Sequence, residues 1–474
     1  MQAFNNFLVK FDDILWGLPL IVLILTAGIF LTLRLGGLQV RHLPRALKYM
    51  VRNEEDGTGE VTSFGALCTA LSATIGTGNI VGVATALVAG GPGALLWMWL
   101  AAFFGMATKY AEGVLAIKYR TVDERGHVLG GPFYYIERGM DEKLPKLKPF
   151  NHALAKLFAF FGAGVGLFGI GTFTQVNGIS SAVKSFFDPN NEHMVTLFGR
   201  EYSWAVIISG IVLTVLVALV VIGGLRRISA VSQVVVPFMA ILYFVVCLGI
   251  ILFNITKVPA AVQLIVESAF GVRAAAGGAL GAMFMSMQKG IARGIFSNEA
   301  GLGSAPIASA AAQTNEPVRQ GLVSMTGTFI DTIIICTMTG LSIVLTGTYN
   351  IGLDGVDVTI AAFSAGLPIS SAIASALLTL CLVFFAFTTI LGWNYYGERC
   401  MEYLFDRSMK TVMIYRCLYV LAIFIGPFMT IEAVWTIADI FNGLMAIPNL
   451  IAIIALNGVI VAETKSFFQR YPKM

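Results

Sequence analysis

The motif Gly76-Thr77-Gly78-Asn79 lies in the middle of an apolar segment that covers residues 61–89. Each glycine costs about 1 kcal/mol relative to alanine in a helix, so the motif predicts an interrupted helix. Inside a bilayer the freed backbone groups need partners, and such interruptions line a cavity or an ion site. The two half-helices then offer N–H donors to an anion and carbonyl oxygens to a cation. The alternative is that the glycines only let a neighbouring helix approach closely.

The composition predicts an all-α integral membrane protein. Of the 474 residues 57% are hydrophobic and only 12% are charged, against about 25% charged residues in a soluble domain. The net charge of +4 does not indicate nucleic-acid binding, because the basic residues fall in short loops. The six cysteines lack CxxC spacing and the four histidines fall in or beside loops, so we expect free thiols and no buried histidine metal site.

The apolar segments predict eleven transmembrane helices, since about 20 apolar residues are enough to cross a bilayer. The predicted helices are TM1 (14–35), TM2 (61–89), TM3 (94–118), TM4 (152–186), TM5 (203–224), TM6 (229–254), TM7 (277–303), TM8 (318–347), TM9 (369–397), TM10 (411–428) and TM11 (433–462). A basic interfacial helix is expected at 39–52. TM1 is too long for a signal peptide and is expected to remain in the protein.

The distribution of basic residues predicts the orientation in the membrane. Most of the 31 Lys and Arg residues fall on the side reached after TM1, and basic loops favour the cytoplasm. We therefore expect a bacterial-type plasma (inner) membrane protein with its N-terminus outside and its C-terminus inside. Lys109, Lys289 and Arg293 fall within spans instead, and Lys109 is expected to extend its amine toward the cytoplasmic interface.

The start of TM7 repeats the start of TM2. The tripeptide Gly-Ala-Leu occurs at 65–67 and again at 278–280, and about eleven residues later each helix has a glycine-interrupted patch, at 287–294 in TM7. TM2 and TM7 run in opposite directions and each opens a set of five helices. Paired interrupted helices in two repeats indicate a transporter with a site at the bilayer midplane. The predicted regions are 1–60 (extra N-terminal span and interfacial helix), 61–255 (first repeat), 256–464 (inverted second repeat) and 465–474 (cytoplasmic tail).

Polar side chains within the predicted spans are further candidates. Gln175 in TM4 has no local partner, so it either joins two helices or donates a hydrogen bond to a substrate carboxylate. Intramembrane charges are functional candidates, each with a partner to be named. Arg293 and Glu299 are predicted to pair across the inner half of TM7 as a gate. Asp331 in TM8 has three alternative roles: it is a second cation ligand, a proton-coupling group, or the counter-charge of Lys289.

Three longer motifs resemble a known family. Residues 90–99 (GGPGALLWMW), followed by 105–108 (GMAT), are similar to the signature of the alanine or glycine:cation symporter family, the sodium:alanine symporters of the amino acid–polyamine–cation superfamily. The stretches 72–82 (SATIGTGNIVG) and 294–304 (GIFSNEAGLGS) also resemble that family's patterns. The resemblance covers essentially the whole chain. It implies the leucine-transporter architecture, here with one extra N-terminal helix, and sodium-driven uptake of small neutral amino acids.

The resemblance also assigns the substrate carboxylate to the first interrupted helix. The backbone amides of Thr77 and Gly78 would bind the carboxylate, which is anion capture at a half-helix N-terminus. Asn79 would act nearby as an oxygen ligand or as an orienting group. Gln175 would then reach the same carboxylate.

A sodium site is implied beside the same interruption. The matching oxygens are the carbonyls of Ser72 and Ile75, the hydroxyls of Thr388 and Thr389, and the carbonyl of Phe385. The alternative for the two threonines is that each hydroxyl only bonds its own i−4 carbonyl, as is common in membrane helices. A monovalent ion needs no carboxylate, and none is expected at this site.

The remaining walls of the substrate cavity are assigned to TM7 and TM9. Phe284, Met287, Gln288 and Gly290 would face the cavity, and bulky walls there predict a small substrate such as alanine or glycine. Trp393, one turn beyond Thr389, either closes the cavity from the inside or is a packing or lipid-facing residue.

The expected function is cation-coupled symport of alanine and/or glycine by alternating access, with sodium as the co-transported ligand and no organic cofactor. Proton-coupled transport is the main alternative. A channel or a membrane-embedded enzyme is an alternative from a different functional class. An enzyme would need a nucleophile–base pair or a metal cluster at depth, but no predicted span offers a histidine at its midplane. A channel would more naturally repeat identical filters.

Overall fold

The computed structural model describes residues 2–52, 57–124, 126–197, 199–271, 278–428 and 432–472. The first residue of predicted TM7 and the last two residues of the tail lie outside these ranges. The regular structure of the described residues is helical apart from two short antiparallel hairpins and one isolated β-bridge between Val61 and Ala312. These hairpins are β1 (Thr121–Val122) with β2 (Val128–Leu129), and β3 (Met194–Leu197) with β4 (Arg200–Ser203).

The helices follow one another in the order that the apolar segments predict. Those before the first interruption and up to the middle of the chain are α1 (Gln2–Leu15), α2 (Leu18–Arg34), α3 (Leu38–Arg41), α4 (Leu43–Val51), α5 (Ser63–Thr74), α6 (Val83–Gly90), α7 (Ala94–Lys118), α8 (Pro132–Tyr134), α9 (Met140–Lys143), α10 (Lys148–Phe168), α11 (Phe173–Phe187), α12 (Trp204–Val221) and α13 (Gly224–Phe253).

The second half of the chain has a similar series of long and short helices. They are α14 (Val258–Ala269), α15 (Ala279–Asn298), α16 (Ala305–Ser309), α17 (Pro317–Thr328), α18 (Thr337–Thr346), α19 (Val356–Gly366), α20 (Ser371–Leu404), α21 (Met409–Ile425), α22 (Glu432–Ala455) and α23 (Asn457–Arg470). Wider π-helical turns join α5 to α6 (Gly78–Gly82), precede α9 (Tyr135–Gly139) and join α17 to α18 (Phe329–Cys336).

The eleven predicted spans are matched only in part. Within the described residues, nine helical segments are long and apolar enough to cross a membrane, and a tenth is the pair Ser63–Thr74 and Gly78–Gly90, bent by 54°. Helix α15, at the place of predicted TM7, carries Lys289 and Arg293 and is not among them. Predicted TM4 is also not one helix, because α10 ends at Phe168 and α11 begins at Phe173.

The bent pair lies at the centre of the structure. Helix α5 begins after Thr62, whose hydroxyl caps it by accepting a hydrogen bond from the Gly65 N–H at 3.0 Å,. Its residues are buried along almost the whole length, and it packs between α13 and α20. The π-helical turn that follows contacts α15 and the π-helical turn before α18. The interruption is therefore enclosed by four other helical segments.

Candidate functional site

The first interruption is closed by the side chain of Asn79. Helix α5 ends at Thr74, and the chain becomes helical again at Gly78. The Oδ1 atom of Asn79 accepts a hydrogen bond from the backbone N–H of Gly76 at 2.9 Å, and the Asn79 N–H donates to the Gly76 carbonyl at 3.2 Å. These bonds satisfy part of the backbone that the interruption frees, so this helix is interrupted where the glycine motif predicts.

Gln175 lies directly against this interruption. The backbone N–H of Thr77 donates to Oε1 of Gln175 at 3.2 Å, and both residues are buried. An amide carbonyl oxygen therefore occupies a position at which the sequence predicts an oxygen of a substrate carboxylate. Thr77 and Gln175 are brought together as expected, through helix α11 on one side and the interrupted helix on the other.

Three of the oxygens assigned to sodium, the Ile75 and Phe385 carbonyls and the Thr389 hydroxyl, meet at the end of α5. The hydroxyl of Thr389 lies 3.3 Å from the carbonyl oxygen of Ile75 and 3.0 Å from that of Phe385. Gly76 is required here, because a Cβ on it would lie 2.4 Å from Oγ1 of Thr389. The hydroxyl of Thr388 donates to carbonyls of its own helix and lies 3.4 Å from Sδ of Met239 on α13.

The structure shows the i−4 bonds that are the alternative role of the two threonines. Thr388 bonds the carbonyl of Phe384 at 3.1 Å and Thr389 bonds that of Phe385 at 3.0 Å, which are the i−4 bonds of ordinary helix threonines. A hydroxyl that donates its hydrogen keeps its lone pairs for a cation, so these bonds do not compete with an ion. Ser72 is fully buried one turn before Ile75, and its hydroxyl bonds the Thr69 carbonyl at 2.7 Å.

Asp331 joins the first interrupted helix to the second. Its Oδ1 accepts a hydrogen bond from Nδ2 of Asn79 at 2.7 Å, and its Oδ2 accepts one from Oγ of Ser297 at 2.8 Å. The hydroxyl of Thr332 also donates to Oδ2 at 2.8 Å, and the carboxylate is fully buried. The structure therefore gives Asp331 hydroxyl and amide partners, and Lys289 is not its counter-charge, since that lysine lines a different cavity.

The second interruption lies later than the sequence analysis predicted. Helix α15 runs without a break through residues 287–294 and ends at Asn298. The chain then turns through Glu299, Gly301 and Gly303, all with positive φ (56°, 90° and 81°), before α16 begins. The prediction of an interruption at 287–294 is wrong, because glycines there permit close packing. A Cβ on Gly290 would lie 2.2 Å from the Ala94 carbonyl of α7.

Other helices supply the hydrogen bonds for this second turn. The Gly301 N–H donates to Oε1 of Glu112 on α7 at 3.2 Å. Nδ2 of Asn449 on α22 donates to the same carboxylate oxygen at 2.7 Å and to the Gly301 carbonyl at 2.9 Å. Asn298 closes the end of α15, with its Oδ1 accepting from the Ala300 N–H at 2.9 Å. The turn is thus held by a carboxylate and two amides, all buried.

The TM7 residues predicted to wall the substrate cavity do not reach the first interruption. Phe284 is 50% exposed, and Gln288 lines a separate cavity. Met287 packs against the hydrophobic core, and Gly290 contacts α7 as described above. The residues that face the interruption are one to three turns later: the ring of Phe296 would lie 3.4 Å from a Cβ on Gly78, and the Ser297 backbone 3.7 Å.

Trp393 is a buried residue of α20 and does not face lipid. Its Cβ would lie 2.4 Å from a Cβ on Gly171, in the segment that separates α10 from α11. The same segment is held by Tyr419, whose hydroxyl is 2.7 Å from the Gly171 carbonyl and 2.6 Å from that of Ile390. Trp393 therefore fills the space beneath the break between α10 and α11, on the same helix as Thr389.

The predicted Arg293–Glu299 pair is not formed. The carboxylate of Glu299 accepts a hydrogen bond from the Ser304 hydroxyl at 2.5 Å, whereas Arg293 lines a cavity with Asp12, Asp13 and Asp439. The two residues lie on different faces of α15 and its C-terminal turn. Lys109 also differs from expectation, because it is 3% exposed and lines a small interior cavity with Asn298 instead of reaching an interface.

Comparison with known proteins identifies the fold and the family. The structure of MhsT in complex with L-phenylalanine has the same fold, with a TM-score of 0.55 at 13% identity over 87% of this chain and 99% of that one. The family model of the sodium:alanine symporters matches residues 1–473. This chain belongs to the sodium:alanine symporter family. It is accordingly a multi-pass membrane transporter and not an enzyme.

Two relatives of this symporter align over nearly its full length. The sodium/alanine symporter AgcS of Methanococcus maripaludis is 48% identical over 468 residues, covering 96% of this chain and 95% of the relative. The "Probable sodium/glutamine symporter GlnT" of Bacillus subtilis is 37% identical over 462 residues, covering 96% of this chain and 89% of the relative. Both names specify sodium, but one specifies alanine and the other specifies glutamine.

Four charged side chains meet where the segment before α5, the β1–β2 hairpin and the C-terminal part of α20 come together. Nε2 of His127 lies 2.6 Å from Oε1 of Glu402, and its Nδ1 lies 3.1 Å from Oε1 of Glu60. Arg399 contacts the same two carboxylates at 2.7 Å and 3.1 Å. We call Glu60, His127, Arg399 and Glu402 the charge cluster. It ties the segment before α5 and the β1–β2 hairpin to α20, so the interrupted helix cannot move away from α20 without breaking it.

The charge cluster shifts the two titrating groups that lie outside the membrane-spanning helices. Hydrogen bonds to Glu402 and then Glu60 raise the pKa of His127 to about 9. Burial alone would raise the pKa of Glu60, but the hydrogen bond from His127, the charge of Arg399 and the bond from the Val128 N–H together lower it to about 2. At neutral pH the cluster therefore contains a protonated histidine and an ionised Glu60.

Sequence reasoning missed several residues of the site. Ser297 and Asn298 stand in the stretch 294–304 that resembles the family pattern, so that motif could have located them. Glu112 is an acidic residue within an apolar span and is a functional candidate on that ground alone. Asn449 is a polar residue within a predicted apolar span, as Gln175 is, so the same criterion could have selected it as a candidate, although not its partner.

Proposed function

We propose that this symporter carries a small neutral amino acid, alanine or glycine, together with Na⁺ and toward the cytoplasm. The observation that carries the proposal is the meeting of the Thr77 N–H, the Gln175 amide and the Thr389 hydroxyl around one interrupted helix. A backbone amide suits the carboxylate of an amino acid, and the adjoining carbonyl and hydroxyl oxygens suit a monovalent cation.

The substrate site would lie between the two interruptions. The carboxylate would replace Oε1 of Gln175 at the Thr77 N–H, and the Gln175 amide would then turn its NH₂ group toward the carboxylate. Gly78 and Asn79 form the rest of the first wall, and Phe296 with Ser297 form the facing wall. A phenyl ring this close to Gly78 leaves little room for a long side chain, which favours glycine or alanine.

The sodium site would use the Ile75 and Phe385 carbonyls and the Thr389 hydroxyl, with the Ser72 carbonyl and Thr388 as further ligands. The ion would draw the end of α5 onto α20. Because this pairing also fixes Gly76 and Thr77, sodium would improve the site for the carboxylate. Coupling of this kind is reciprocal, so the amino acid must raise the affinity for sodium by the same factor.

Alternating access would follow from the two breaks. The helix pairs that contain α5–α6 and α15–α16 would move against the remaining helices, as an inverted repeat of 61–255 and 256–464 allows. The charge cluster would hold the cytoplasmic side closed, with the N-terminus outside. Because Arg293 lines a cavity with Asp12, Asp13 and Asp439 and does not pair with Glu299, the inner closure would depend on Arg399 instead.

Proton coupling is the second candidate, and Asp331 is the observation that favours it. A buried carboxylate bonded to both interrupted helices would transmit a change of its charge to both. Proton-driven and sodium-driven transport differ in which gradient moves the substrate.

Uptake into proteoliposomes with the two gradients imposed separately tests the proposal. We expect radiolabelled alanine to accumulate with a sodium gradient and no pH difference, and not with a pH difference in sodium-free buffer. Excess glycine should compete and excess leucine should not. Vesicles with the Thr389→Ala variant are the matched control. Accumulation driven by the pH difference alone would reject sodium coupling, and equal competition by leucine would reject the small-substrate assignment.

A further inference from the structure

A lysine lies in the interior of the protein without a hydrogen-bond partner. Lys109 belongs to α7, in a run from Gly105 to Ile117 that is buried at every residue. It is 3% exposed, and among the residues that the structure describes nothing forms a hydrogen bond with its Nζ. A buried ammonium group is costly unless nearby charges and dipoles offset the lost hydration. An ionisable residue at this depth is therefore a functional candidate.

The C-terminal ends of both interrupted helices lie beside Lys109. It lines a cavity with Thr74 and Asn298, which are the last residues of α5 and α15. The volume of this cavity is about 10 Å³, which is room for about one water molecule. A helix carries partial negative charge at its C-terminal end, on carbonyl groups without a partner inside the helix, and a cation is favoured there. Two such ends meet at this lysine.

Three buried carboxylates add to the negative potential at the amine. The charge of Lys109 interacts with Glu112, Glu299 and Asp331, and all three are buried. Glu112 follows Lys109 by three residues and so lies on the same face of α7. Its Oε2 atom is buried without a hydrogen-bond partner in the described part of the chain. The helix ends and the carboxylates together favour one positive charge at this place.

A charge at this place acts on both interruptions. Ile75, whose carbonyl is a proposed sodium ligand, directly follows Thr74. On the other side, Nδ2 of Asn298 donates to the hydroxyl of Thr332 at 3.0 Å. That hydroxyl donates at 2.8 Å to Asp331, the carboxylate that joins the two interruptions. The position of the Lys109 amine is therefore linked to the first interrupted helix through α5 and to the second through α15.

The same kinds of groups bind free cations in other interrupted helices. Half-helix C-terminal ends and freed carbonyls coordinate sodium ions in transporters. Lys109 supplies a positive charge to such groups from its own side chain. Because this charge is covalently attached to α7, it stays with the protein throughout the cycle and adds no ion to those that are transported.

We propose that the Lys109 ammonium group is a built-in cation that takes the place of a second sodium ion between the ends of the two interrupted helices. Lys109 is thus a positioning residue, and it limits the coupling to one Na⁺ per amino acid. The inference rests on the proposed function, because it counts the sodium ions that accompany the amino acid.

The ratio of Na⁺ to alanine in transport tests the inference. It is obtained in proteoliposomes as the membrane potential that stops net alanine flux at fixed gradients of Na⁺ and alanine. The wild-type ratio should be one. In Lys109→Gln the helix ends and carboxylates lose their cation and should recruit a sodium ion, so both the ratio and the Hill coefficient of sodium activation should rise from about one to about two.

Two variants separate the charge of Lys109 from its bulk and from the loss of any lysine. Lys109→Arg keeps the charge and should keep the ratio of one. Lys118→Gln makes the same substitution on the same helix, where the amine is exposed and bonds Glu463 at 2.7 Å. This matched control should also keep the ratio of one.

A wild-type ratio of two would overturn the inference, and so would a ratio of one in Lys109→Gln that still transports alanine. If Lys109→Gln does not transport, its Tm is measured over a range of NaCl concentrations, with choline chloride as the reference salt. A steeper rise of Tm with Na⁺ than in the wild type supports the inference, and an equal rise overturns it. If the wild type shows no sodium-driven alanine uptake, the proposed function itself is wrong.

Discussion

The side-chain amide of Asn79 donates a hydrogen bond to the carboxylate of Asp331 at 2.7 Å, deep in the membrane-spanning part of the fold. The other oxygen of Asp331 accepts from Ser297, so one carboxylate spans both interrupted helices. An amide in place of this carboxylate cannot accept at both ends, because one end becomes a donor. Asp331 therefore connects the two interrupted helices through hydrogen bonds, so a movement of one helix affects the other.

Asp331→Asn should weaken this link with little change in shape. We expect the apparent affinity for alanine to fall by about tenfold or more, since a hydrogen bond to a charged group is worth roughly 1.5–3 kcal/mol. Alanine binding measured over a range of Na⁺ concentrations checks this, with size-exclusion profiles to confirm folding. Thr337→Val, at a neighbouring hydroxyl that bonds Trp99, is a control for the loss of a polar contact. If alanine binding to Asp331→Asn depends on Na⁺ as it does in the wild type, Asp331 does not take part in the coupling of sodium and alanine binding.

The two adjacent threonines of α20 should differ. Thr389 approaches the Ile75 carbonyl of the interrupted helix, whereas Thr388 faces Met239. Thr389→Ala should therefore raise the Na⁺ concentration for half-maximal uptake by about tenfold, because it removes a proposed cation ligand and a contact to α5,. Thr388→Ala should have a smaller effect, and Thr389→Ser should restore sodium activation. Equal effects of the two alanine variants would show that Thr388 contributes as much to sodium activation as Thr389 does.

Gln175 should act on the substrate more than on sodium. Gln175→Ala leaves the Thr77 N–H free and removes the second donor to the carboxylate, so we expect weaker alanine binding with Na⁺ binding still measurable without alanine. Gln175→Glu should weaken alanine binding further, since a like charge would face the substrate carboxylate. Isothermal titration with each ligand alone and with both distinguishes these effects. Wild-type alanine affinity in Gln175→Ala would make this residue a structural link between α11 and the interrupted helix.

Two glycines of α15 should respond differently to the same substitution. A Cβ on Gly290 would lie 2.2 Å from the Ala94 carbonyl, while a Cβ on Gly281 meets nothing within 4 Å. Gly290→Ala should destabilise the protein by about 1–3 kcal/mol through overpacking, and Gly281→Ala should be neutral or slightly stabilising. Thermal unfolding in the same detergent compares them. If Gly290→Ala instead keeps wild-type stability and changes only substrate selectivity, Gly290 lines the substrate cavity after all.

The charge cluster should loosen at alkaline pH. The pKa of His127 is about 9 in the cluster against 6.5 when it is released, so protonation stabilises the closed form fully below pH 6.5, and this contribution is lost as the pH rises through 9. The lowered pKa of Glu60 acts in the opposite sense, and its contribution is lost only as the pH falls through about 2. Between pH 7 and 9.5 the titration of His127 therefore determines how the stability of the charge cluster changes with pH.

Hydrogen exchange of the β1–β2 hairpin measures this loosening, because the Val128 N–H bonds Glu60 at 2.7 Å. After correction for intrinsic exchange, its protection should fall between pH 8 and 9.5 and should be low and pH-independent in His127→Gln. The β3–β4 hairpin is the internal reference. Protection that is unchanged up to pH 9.5 would contradict the raised pKa of His127.

The first interruption could be predicted because its cause is local. Two glycines and an asparagine in four residues weaken the helix, and Asn79 closes the gap by bonding Gly76, three residues away. Gln175 could be predicted as a candidate because it is a polar residue in an apolar span. Its partner, the Thr77 N–H, follows once the helix is known to be interrupted.

The second interruption could not be located in the same way. The glycines at 290 and 294 weaken the helix locally, as the glycines of the first interruption do. Helix α7 packs against them, however, and α15 stays continuous there. The actual turn at 299–304 depends on Glu112 and Asn449, which are distant in sequence. The same reason explains Arg293: its surroundings are set by α1 and α22, so no pattern within TM7 could have assigned them.

In the proposed mechanism, sodium and the amino acid bind at one interrupted helix, and each raises the affinity for the other. The most direct test is to measure the Kd of alanine with and without saturating Na⁺, and the Kd of Na⁺ with and without saturating alanine, on one preparation of the wild-type protein. We predict that each ligand improves the other by the same factor, at least tenfold, and that Thr389→Ala reduces both factors together. Alanine binding that is as tight without Na⁺ as with it would contradict the account.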